Sequence, residues 1–222
     1  TLDANGNVTS VAETEMLHGT STTETYVTNL EYDAINRLKK KTVVDRTNSS
    51  NTLVTEYKLD ALSFLREVVD PRGNSTLYAR DGLGRRTEES VDLGSSAALV
   101  TQWTYDVHDN VTRLHDDNGN DTDYTFDHLN RLVSKTYEST KTVEYTLDDN
   151  GNAVAIVDEN GTVTAQGFDD LDRLIGRDLT LASGVGGDTE EEFAYDALNR
   201  LTEAKDDDSI VNFTYDSLSR VL

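Results

Sequence analysis

Apolar and polar residues alternate along short stretches of the chain, and residues 143–154 show the pattern most clearly. Val143, Tyr145 and Leu147 are separated from one another by single polar residues, which is the period of a β-strand with one apolar face. Asp-Asp-Asn-Gly follows at 148–151, after which the apolar pattern resumes. Aspartate at the first place of a turn can bond the backbone two residues on, and glycine at the fourth place permits positive φ. The stretch therefore predicts a strand, a tight turn and a second strand.

The same unit recurs along the whole chain. Its aspartates are Asp3, Asp33, Asp60, Asp81, Asp106, Asp127, Asp148, Asp169, Asp196 and Asp216. Successive aspartates lie 20 to 30 residues apart, and 21 is the commonest interval. The fourth place of each unit holds Gly, Asn, Asp or Ser, and the fifth is most often Arg. Such periodicity predicts residues 1–222 to be a single array of about ten repeats of about 21 residues, with no separate domains.

A second turn signal lies ten residues after several of these aspartates, at Asp70, Asp116, Asp158 and Asp206. Each repeat then contains two strands and two turns, so the fold class is all-β, built from tandem β-hairpins in one continuous antiparallel sheet. Insertions near Asp45, at 92–96 and at 178–192 enlarge the second turn only. We expect them to project from one edge of the sheet. That edge is either a binding edge or simply the place where loop growth is tolerated.

Aromatic residues often stand two apart, directly before the turns, and so share one strand face. The predicted aromatic ladder is Tyr32, Trp103, Tyr105, Tyr124, Phe126, Tyr145, Phe193, Tyr195, Phe213 and Tyr215. Stacked across neighbouring strands, each pair contributes roughly 0.2–1 kcal/mol. The recurrent Arg is expected to bond the neighbouring repeat's Asp or backbone. The predicted structural turn residues are Asp33, Arg37, Asp81, Arg85, Asp127, Arg131, Asp148, Gly151, Asp169, Arg173, Asp196 and Arg200. Glycan stacking on the rings is the functional alternative.

Composition narrows the class of protein. Apolar residues make up 36% of the chain, which favours one covered sheet face over a thick core. The net charge of −22 argues against a nucleic-acid partner, because phosphates require Lys and Arg. It fits a protein that is secreted or on the cell surface. No apolar run is long enough to predict a membrane span. The chain begins and ends within a repeat, so we interpret it as part of a longer protein.

No constellation predicts chemistry, so we expect no catalytic residues, no metal site and no cofactor. His18, His108, His115 and His128 are scattered and lack cysteine partners, since the chain has no Cys. In the acidic stretch 116–121, glycine stands fourth, which suits a β-turn, whereas a helix-loop-helix calcium site has it sixth.

The repeats resemble a known family, the RHS or YD-repeat proteins, whose motif is Tyr-Asp-x-x-Gly-Arg-Leu. The closest copies are YDAINRL at 32–38, DGLGRR at 81–86, FDHLNRL at 126–132, FDDLDRL at 168–174 and YDALNRL at 195–201. The family includes bacterial polymorphic toxins, shells of insecticidal toxin complexes and teneurins. The resemblance implies a sheet that spirals into a hollow shell or β-solenoid. The family's C-terminal autoproteolytic segment and toxin domain have no counterpart in this sequence.

The expected function is that of a non-catalytic scaffold, a wall segment of an RHS shell that encloses toxin or effector cargo. The alternative is a segment of an extracellular filament or adhesive stalk that assembles by end-to-end β-pairing. The expected partners are neighbouring repeats or further copies of the chain, an enclosed polypeptide and surface glycans.

Overall fold

The described chain is entirely β-structure. A computed structural model describes residues 1–16, 23–44, 52–94 and 97–222, and it contains eighteen strands and no helix within those ranges. The strands are β1 Ser10–Met16, β2 Thr23–Tyr32, β3 Leu38–Val44, β4 Thr52–Leu59, β5 Leu65–Val69, β6 Ser75–Arg80, β7 Arg86–Asp92, β8 Leu99–Tyr105, β9 Val111–His115, β10 Asp121–Phe126, β11 Leu132–Tyr137, β12 Thr142–Leu147, β13 Ala153–Val157, β14 Val163–Phe168, β15 Leu174–Thr180, β16 Glu190–Tyr195, β17 Leu201–Asp206 and β18 Ile210–Asn212. The predicted all-β class is confirmed.

Two compact units divide this chain. The first comprises residues 1–103 and 115–119, and the second comprises 104–114 and 120–222. In the first unit, β1 to β7 each pair antiparallel with the next strand along the chain. In the second, β10 to β17 do the same. Each unit is therefore a continuous series of antiparallel hairpins, as the two-turn repeat predicts.

Seven of the hairpins that close at a repeat aspartate have the same irregularity. The register shifts by one residue immediately before the turn, for example between Glu31 and Tyr32 and between Ala194 and Tyr195. A hairpin loop that contains a left-handed residue commonly produces such a bulge, because one extra residue must be accommodated on the returning strand. Bulges of this kind increase the local twist of the strands.

Each strand presents two different faces. One face carries the aromatic residues, and the other carries most of the cross-strand ion pairs, such as Lys58 with Glu67 at 2.9 Å and Arg113 with Asp123 at 2.6 Å. The pair of Arg177 with Glu191 is an exception on the aromatic face. Among the described residues only Val143 and Thr162 are buried, at 9% and 7% exposure. The side chains on both faces are instead mostly half-buried. Each unit is thus built from sheet strands whose described residues form no enclosed core, which agrees with the low apolar content of the chain.

The two kinds of turn differ in how much they vary. We define the Y-D turn as an aspartate of the repeat and the four residues after it. In every described Y-D turn, the N–H of that aspartate bonds the carbonyl of the fifth residue, so the length does not vary. The second turns vary, and the longest described one runs over 181–189 between β15 and β16. Residues 45–51 and 95–96 of the other two predicted insertions lie outside the described residues. No helix in the described part of the chain is long and apolar enough to cross a bilayer.

Candidate functional site

The Y-D turn is organised by the carboxylate of its first residue. In the turn that starts at Asp196, Oδ1 accepts the backbone N–H groups of Leu198 at 2.8 Å and Arg200 at 3.0 Å. Oδ2 accepts Arg200 Nε at 2.7 Å. The backbone closes the loop, because Asn199 N donates to Asp196 O at 3.1 Å and Asp196 N donates to Arg200 O at 2.9 Å. One side chain therefore satisfies three donors, which explains why aspartate recurs at this place.

The fourth residue of every Y-D turn is left-handed. Positive φ occurs at Gly6, Asn36, Ser63, Gly84, Asp109, Asn130, Gly151, Asp172, Asn199 and Ser219. This requirement explains why the place holds only glycine or short polar residues, since these tolerate the left-handed region best. Four of the described second turns share this geometry, with positive φ at Gly73, Gly119, Thr140 and Gly161, and all of these turns except that of Thr140 also begin with aspartate.

The turn also sets the electrostatics of the aspartate. The Arg200 guanidinium, together with the Arg200 backbone N–H, holds the pKa of Asp196 below its ordinary value. The Arg173 guanidinium likewise lowers the pKa of Asp169. In turns whose fifth residue is asparagine, the asparagine side chain lowers the pKa of the aspartate. The hydrogen bond from the Asn152 amide is the main cause of the lowered pKa of Asp148. Each of these carboxylates is consequently a fixed anion that orders the loop.

The fifth residue reaches beyond its own turn. Arg37 Nη1 donates to the carbonyl of Asp60 in the next repeat at 2.6 Å, and Arg131 Nη1 donates to that of Asp148 at 2.6 Å. Arg173 Nη1 contacts Asn199 Oδ1 at 2.9 Å, also in the next repeat. The predicted contact of the recurrent Arg with neighbouring backbone thus has a defined geometry, in which the same side chain bonds its own aspartate and the following turn.

The aromatic residue before the next aspartate completes this contact. The Arg173 guanidinium lies 4.8 Å from the centre of the Tyr195 ring, and the Arg200 guanidinium lies 4.5 Å from that of Tyr215. In return, Tyr195 Oη donates to the carbonyl of Leu174 at 2.9 Å. We call this set the inter-repeat latch: the arginine of one turn, the tyrosine before the next aspartate, and the hydrogen bonds that link them. Each such cation–π contact is worth roughly 0.5–2 kcal/mol.

The remaining predicted ring residues lie on their strands as the alternation requires. Half-buried side chains include Trp103, Tyr105, Tyr124, Phe126, Tyr145 and Phe213. Phe193 is approached by the Arg177 guanidinium at 5.9 Å, and the Tyr32 hydroxyl donates to the carbonyl of Val8 at 3.0 Å. Ring-to-ring stacking along a ladder stays a prediction. What sequence reasoning missed is that cations stack on these rings. The available signal was the recurrence of Arg after a turn aspartate and of an aromatic residue before the next one.

One junction reverses the latch. Phe64 occupies the fifth place of its turn and Arg80 the place before Asp81, and the Arg80 guanidinium lies 4.8 Å from the Phe64 ring centre. Arg80 Nη1 donates to Gly84 O at 2.8 Å, while its buried Nε has no partner among the described residues. A Cβ on Gly84 would lie 2.7 Å from Phe64 Cζ. The sequence signal for this exchange is an arginine where a tyrosine is usual.

The residues considered for chemistry stay apart. Within the described ranges no three His, Asp or Glu side chains form a group that could hold a metal ion. The turn at 116–119 is closed by Gly119 N donating to Asp116 O at 3.0 Å. His108 is exposed in a Y-D turn, where its backbone N–H donates to Asp106 Oδ1 at 2.8 Å. His18 lies outside the described residues.

Comparison with known proteins places this geometry in context. The sequence profile of the teneurin YD-shell family matches residues 74–222. No curated protein matches the chain. Solved structures do, among them that of TcdB2-TccC3-Cdc42, with a TM-score of 0.68, 17% identity and 88% of this chain covered. The Tc holotoxin pore of Photorhabdus luminescens matches with a TM-score of 0.69, 17% identity and 89% coverage. In both cases the match spans 12% of the longer chain. These similarities show the fold.

Proposed function

Because the chain belongs to the teneurin YD-shell family, we propose that it forms part of the wall of an RHS-type shell that encloses a polypeptide cargo such as a toxin or effector. Its role as a structural shell segment follows from the family. The finer assignment to an enclosing wall, in a protein secreted from or displayed on the cell, is our proposal.

The observation that carries this proposal is the inter-repeat latch. An enclosing wall must stay continuous, and a repeat array does so only if each unit is joined to the next. At the latch, Arg173 and Tyr195 join two repeats by a stacked cation and three hydrogen bonds. Where asparagine replaces the arginine, a shorter link remains: Asn110 Nδ2 donates to Asn130 Oδ1 of the next repeat at 3.0 Å. Neighbouring repeats are therefore joined either by an arginine latch or by an asparagine hydrogen bond.

The tight turns also suit a barrier. Within a Y-D turn, backbone N–H groups are already bonded to the carboxylate of the turn's own aspartate, as those of Leu198 and Arg200 are to Asp196. A protease must bind a substrate loop in extended form, and a loop with its backbone already bonded resists this. The net charge of −22 favours solubility of such a wall.

The geometry of the rings argues against the glycan alternative. A sugar would have to stack on a free ring face. In Tyr195 and Tyr215 one face is already covered by a guanidinium, and both rings are half-buried. We therefore assign these rings to the wall itself.

The proposal is tested on the full-length protein that contains this segment. We expect electron microscopy to show discrete hollow particles, each formed by one chain, and limited proteolysis to leave an internal polypeptide protected. An Arg173→Ala, Arg200→Ala variant should expose that polypeptide sooner. Lys205→Ala, which removes an ion pair at 2.8 Å outside the latch, is the matched control. Unbranched fibres would instead support the filament alternative, and repeats that continue to both termini without cargo would contradict enclosure.

A further inference from the structure

The tips of the Y-D turns carry large apolar side chains that point into solvent. Seven of the ten turns have one at the third place, with the following exposed fractions: Ile35 63%, Leu62 77%, Leu83 76%, Leu129 57%, Leu171 64%, Leu198 70% and Leu218 73%. We call this row of tips the Y-D edge. It has three members in the first unit and four in the second. Each unit therefore displays its own apolar row.

The turn does not require an apolar residue there. The third residue contributes only its backbone N–H, which Leu198 donates to Asp196 Oδ1 at 2.8 Å. Arg72 and Asn160 make the same bond, each at 2.8 Å, in second turns with polar tips. Folding would thus be served equally well by Asn or Ser. Contiguous exposed apolar groups that do not serve folding are characteristic of interaction surfaces.

The Y-D edge and the opposite edge, which is formed by the second turns, also differ in charge. In the first unit, the second to fourth places of the three described Y-D turns after residue 30 are Ala-Ile-Asn, Ala-Leu-Ser and Gly-Leu-Gly, without a single charge. The second turns carry Arg72, Asp117, Glu138, Glu159 and Asp207. In the second unit the same places carry Asp109, Asp149, Asp170 and Asp172, so in a chain with a net charge of −22 it is the first unit's part of the Y-D edge that another acidic chain can approach with least repulsion.

The spacing of the row identifies the partner. In the first unit, three successive repeats each carry one apolar tip, at Ile35, Leu62 and Leu83, which means one tip per two strands and a pitch of about 10 Å. A partner that contacts successive tips must present apolar groups at the same pitch, and the same edge of another copy does so. We propose that the first unit's part of the Y-D edge is a docking surface for a second copy of this chain, which meets it edge to edge. This inference goes beyond the proposed enclosure and does not depend on it, since the contact uses turn tips and neither sheet face.

Sedimentation of the chain over a wide concentration range tests the proposal. We expect a concentration-dependent dimer. Ile35→Ser, Leu62→Ser, Leu83→Ser, combined in one variant, should raise the dissociation constant by roughly tenfold or more, because the buried apolar anchors of an interface dominate its affinity. The matched control, Leu93→Ser, Val185→Ser, Ile210→Ser, removes three side chains that are 48%, 43% and 59% exposed away from that edge. It should change the constant less than about twofold. Circular dichroism checks that both variants keep their β-structure.

Cross-linking gives an independent readout. The chain has no Cys, so single cysteines report contacts cleanly. Leu62→Cys, Leu83→Cys, Leu171→Cys and Leu198→Cys variants are oxidised in pairwise mixtures, with Arg72→Cys and Asn160→Cys as second-turn controls. Disulfide dimers confined to the Y-D set support edge-to-edge docking. A chain that stays monomeric at every concentration, equal weakening by both triple variants, or cross-links formed equally by the controls would overturn it.

Discussion

Two junctions between repeats contain the same contact of an arginine with an aromatic ring, but the turn and the next strand exchange the two residues. At the regular junction, Arg173 comes from the turn and Tyr195 from the strand before the next aspartate, with the guanidinium 4.8 Å from the ring centre. At the exchanged junction, the turn supplies Phe64 and the next strand supplies Arg80, again at 4.8 Å. The comparison shows that where a cation stacks on a ring between repeats, either strand can supply the cation and the other the ring.

The exchange is not without cost. Arg173 Nε bonds Asp169 Oδ2 at 2.7 Å, whereas Arg80 Nε is buried without a partner in the described chain. An unsatisfied buried N–H costs roughly 1–3 kcal/mol. Phe64 also presses on Gly84, so the exchanged junction accepts only glycine there. The regular junction is the more tolerant design because its fourth residue can be Asn, Asp or Ser.

Acidification should lower the stability of the fold most, because it protonates the aspartates of all the regular turns at once. A lowered pKa, below the unfolded value of about 3.9, is shared by Asp3, Asp33, Asp81, Asp106, Asp127, Asp148, Asp169, Asp196 and Asp216. Their stabilisation is fully present above that value and is lost as pH falls through the lower, folded pKa. We expect the melting temperature, followed by circular dichroism, to drop steeply below about pH 4.

The control for acid retains the turn and removes its titration. In Asp169→Asn, Asp196→Asn the amide oxygen still accepts the backbone donors, so the variant should start less stable and show a flatter pH profile. A melting temperature that is constant, or rises, between pH 7 and pH 3 would contradict the role of the ionised carboxylate.

Gly84→Asn should have the next largest effect. The new Cβ would meet the Phe64 ring at 2.7 Å, whereas at Gly151 the nearest atom, Arg131 Nη1, is 4.0 Å away. Overpacking of this kind costs roughly 1–3 kcal/mol. Urea unfolding of Gly84→Asn and Gly151→Asn measures the difference. Equal losses would show that the crowding at the exchanged junction is not real.

Reversal of the exchange should have a smaller effect that is strongly non-additive. Phe64→Arg alone places two guanidinium groups together, and Arg80→Tyr alone removes the cation. Each should destabilise by roughly 1–2 kcal/mol. The double variant re-creates the regular order and should recover most of the loss, which gives a coupling energy in a double-mutant cycle. Simple addition of the two losses would mean that the residues do not act as a pair.

Tyr195→Phe should have the smallest effect. It removes only the hydrogen bond from Tyr195 Oη to Leu174 O at 2.9 Å and keeps the ring beneath Arg173. The expected loss is roughly 0.5–1.5 kcal/mol in urea unfolding. Tyr145→Phe is the control, since no hydrogen bond of that hydroxyl appears in the described chain. A loss as large for Tyr145→Phe would assign the effect to the sheet in general.

The sequence predicts the turns well because their rules are local. Aspartate three residues before a left-handed position is a requirement that a single chain segment expresses by itself, so Asp196 and Asn199 could be read directly. The hairpin class follows from the same spacing. The latch was less accessible: Arg173 and Tyr195 lie 22 residues apart, and their contact depends on the register between neighbouring hairpins. The exposed Leu198 escaped notice because a strand pattern gives no meaning to a turn tip.

The absence of an enclosed core among the described residues has a consequence for how such a chain can change. Because side chains alternate across one layer, odd and even positions of a strand specify two separate surfaces. Lys58 and Glu67 pair on one side, while Tyr57 faces the other. A substitution on one surface needs no matching change on the opposite one. One side can therefore diverge to suit a new molecular environment while the turns and latches keep the repeat in place.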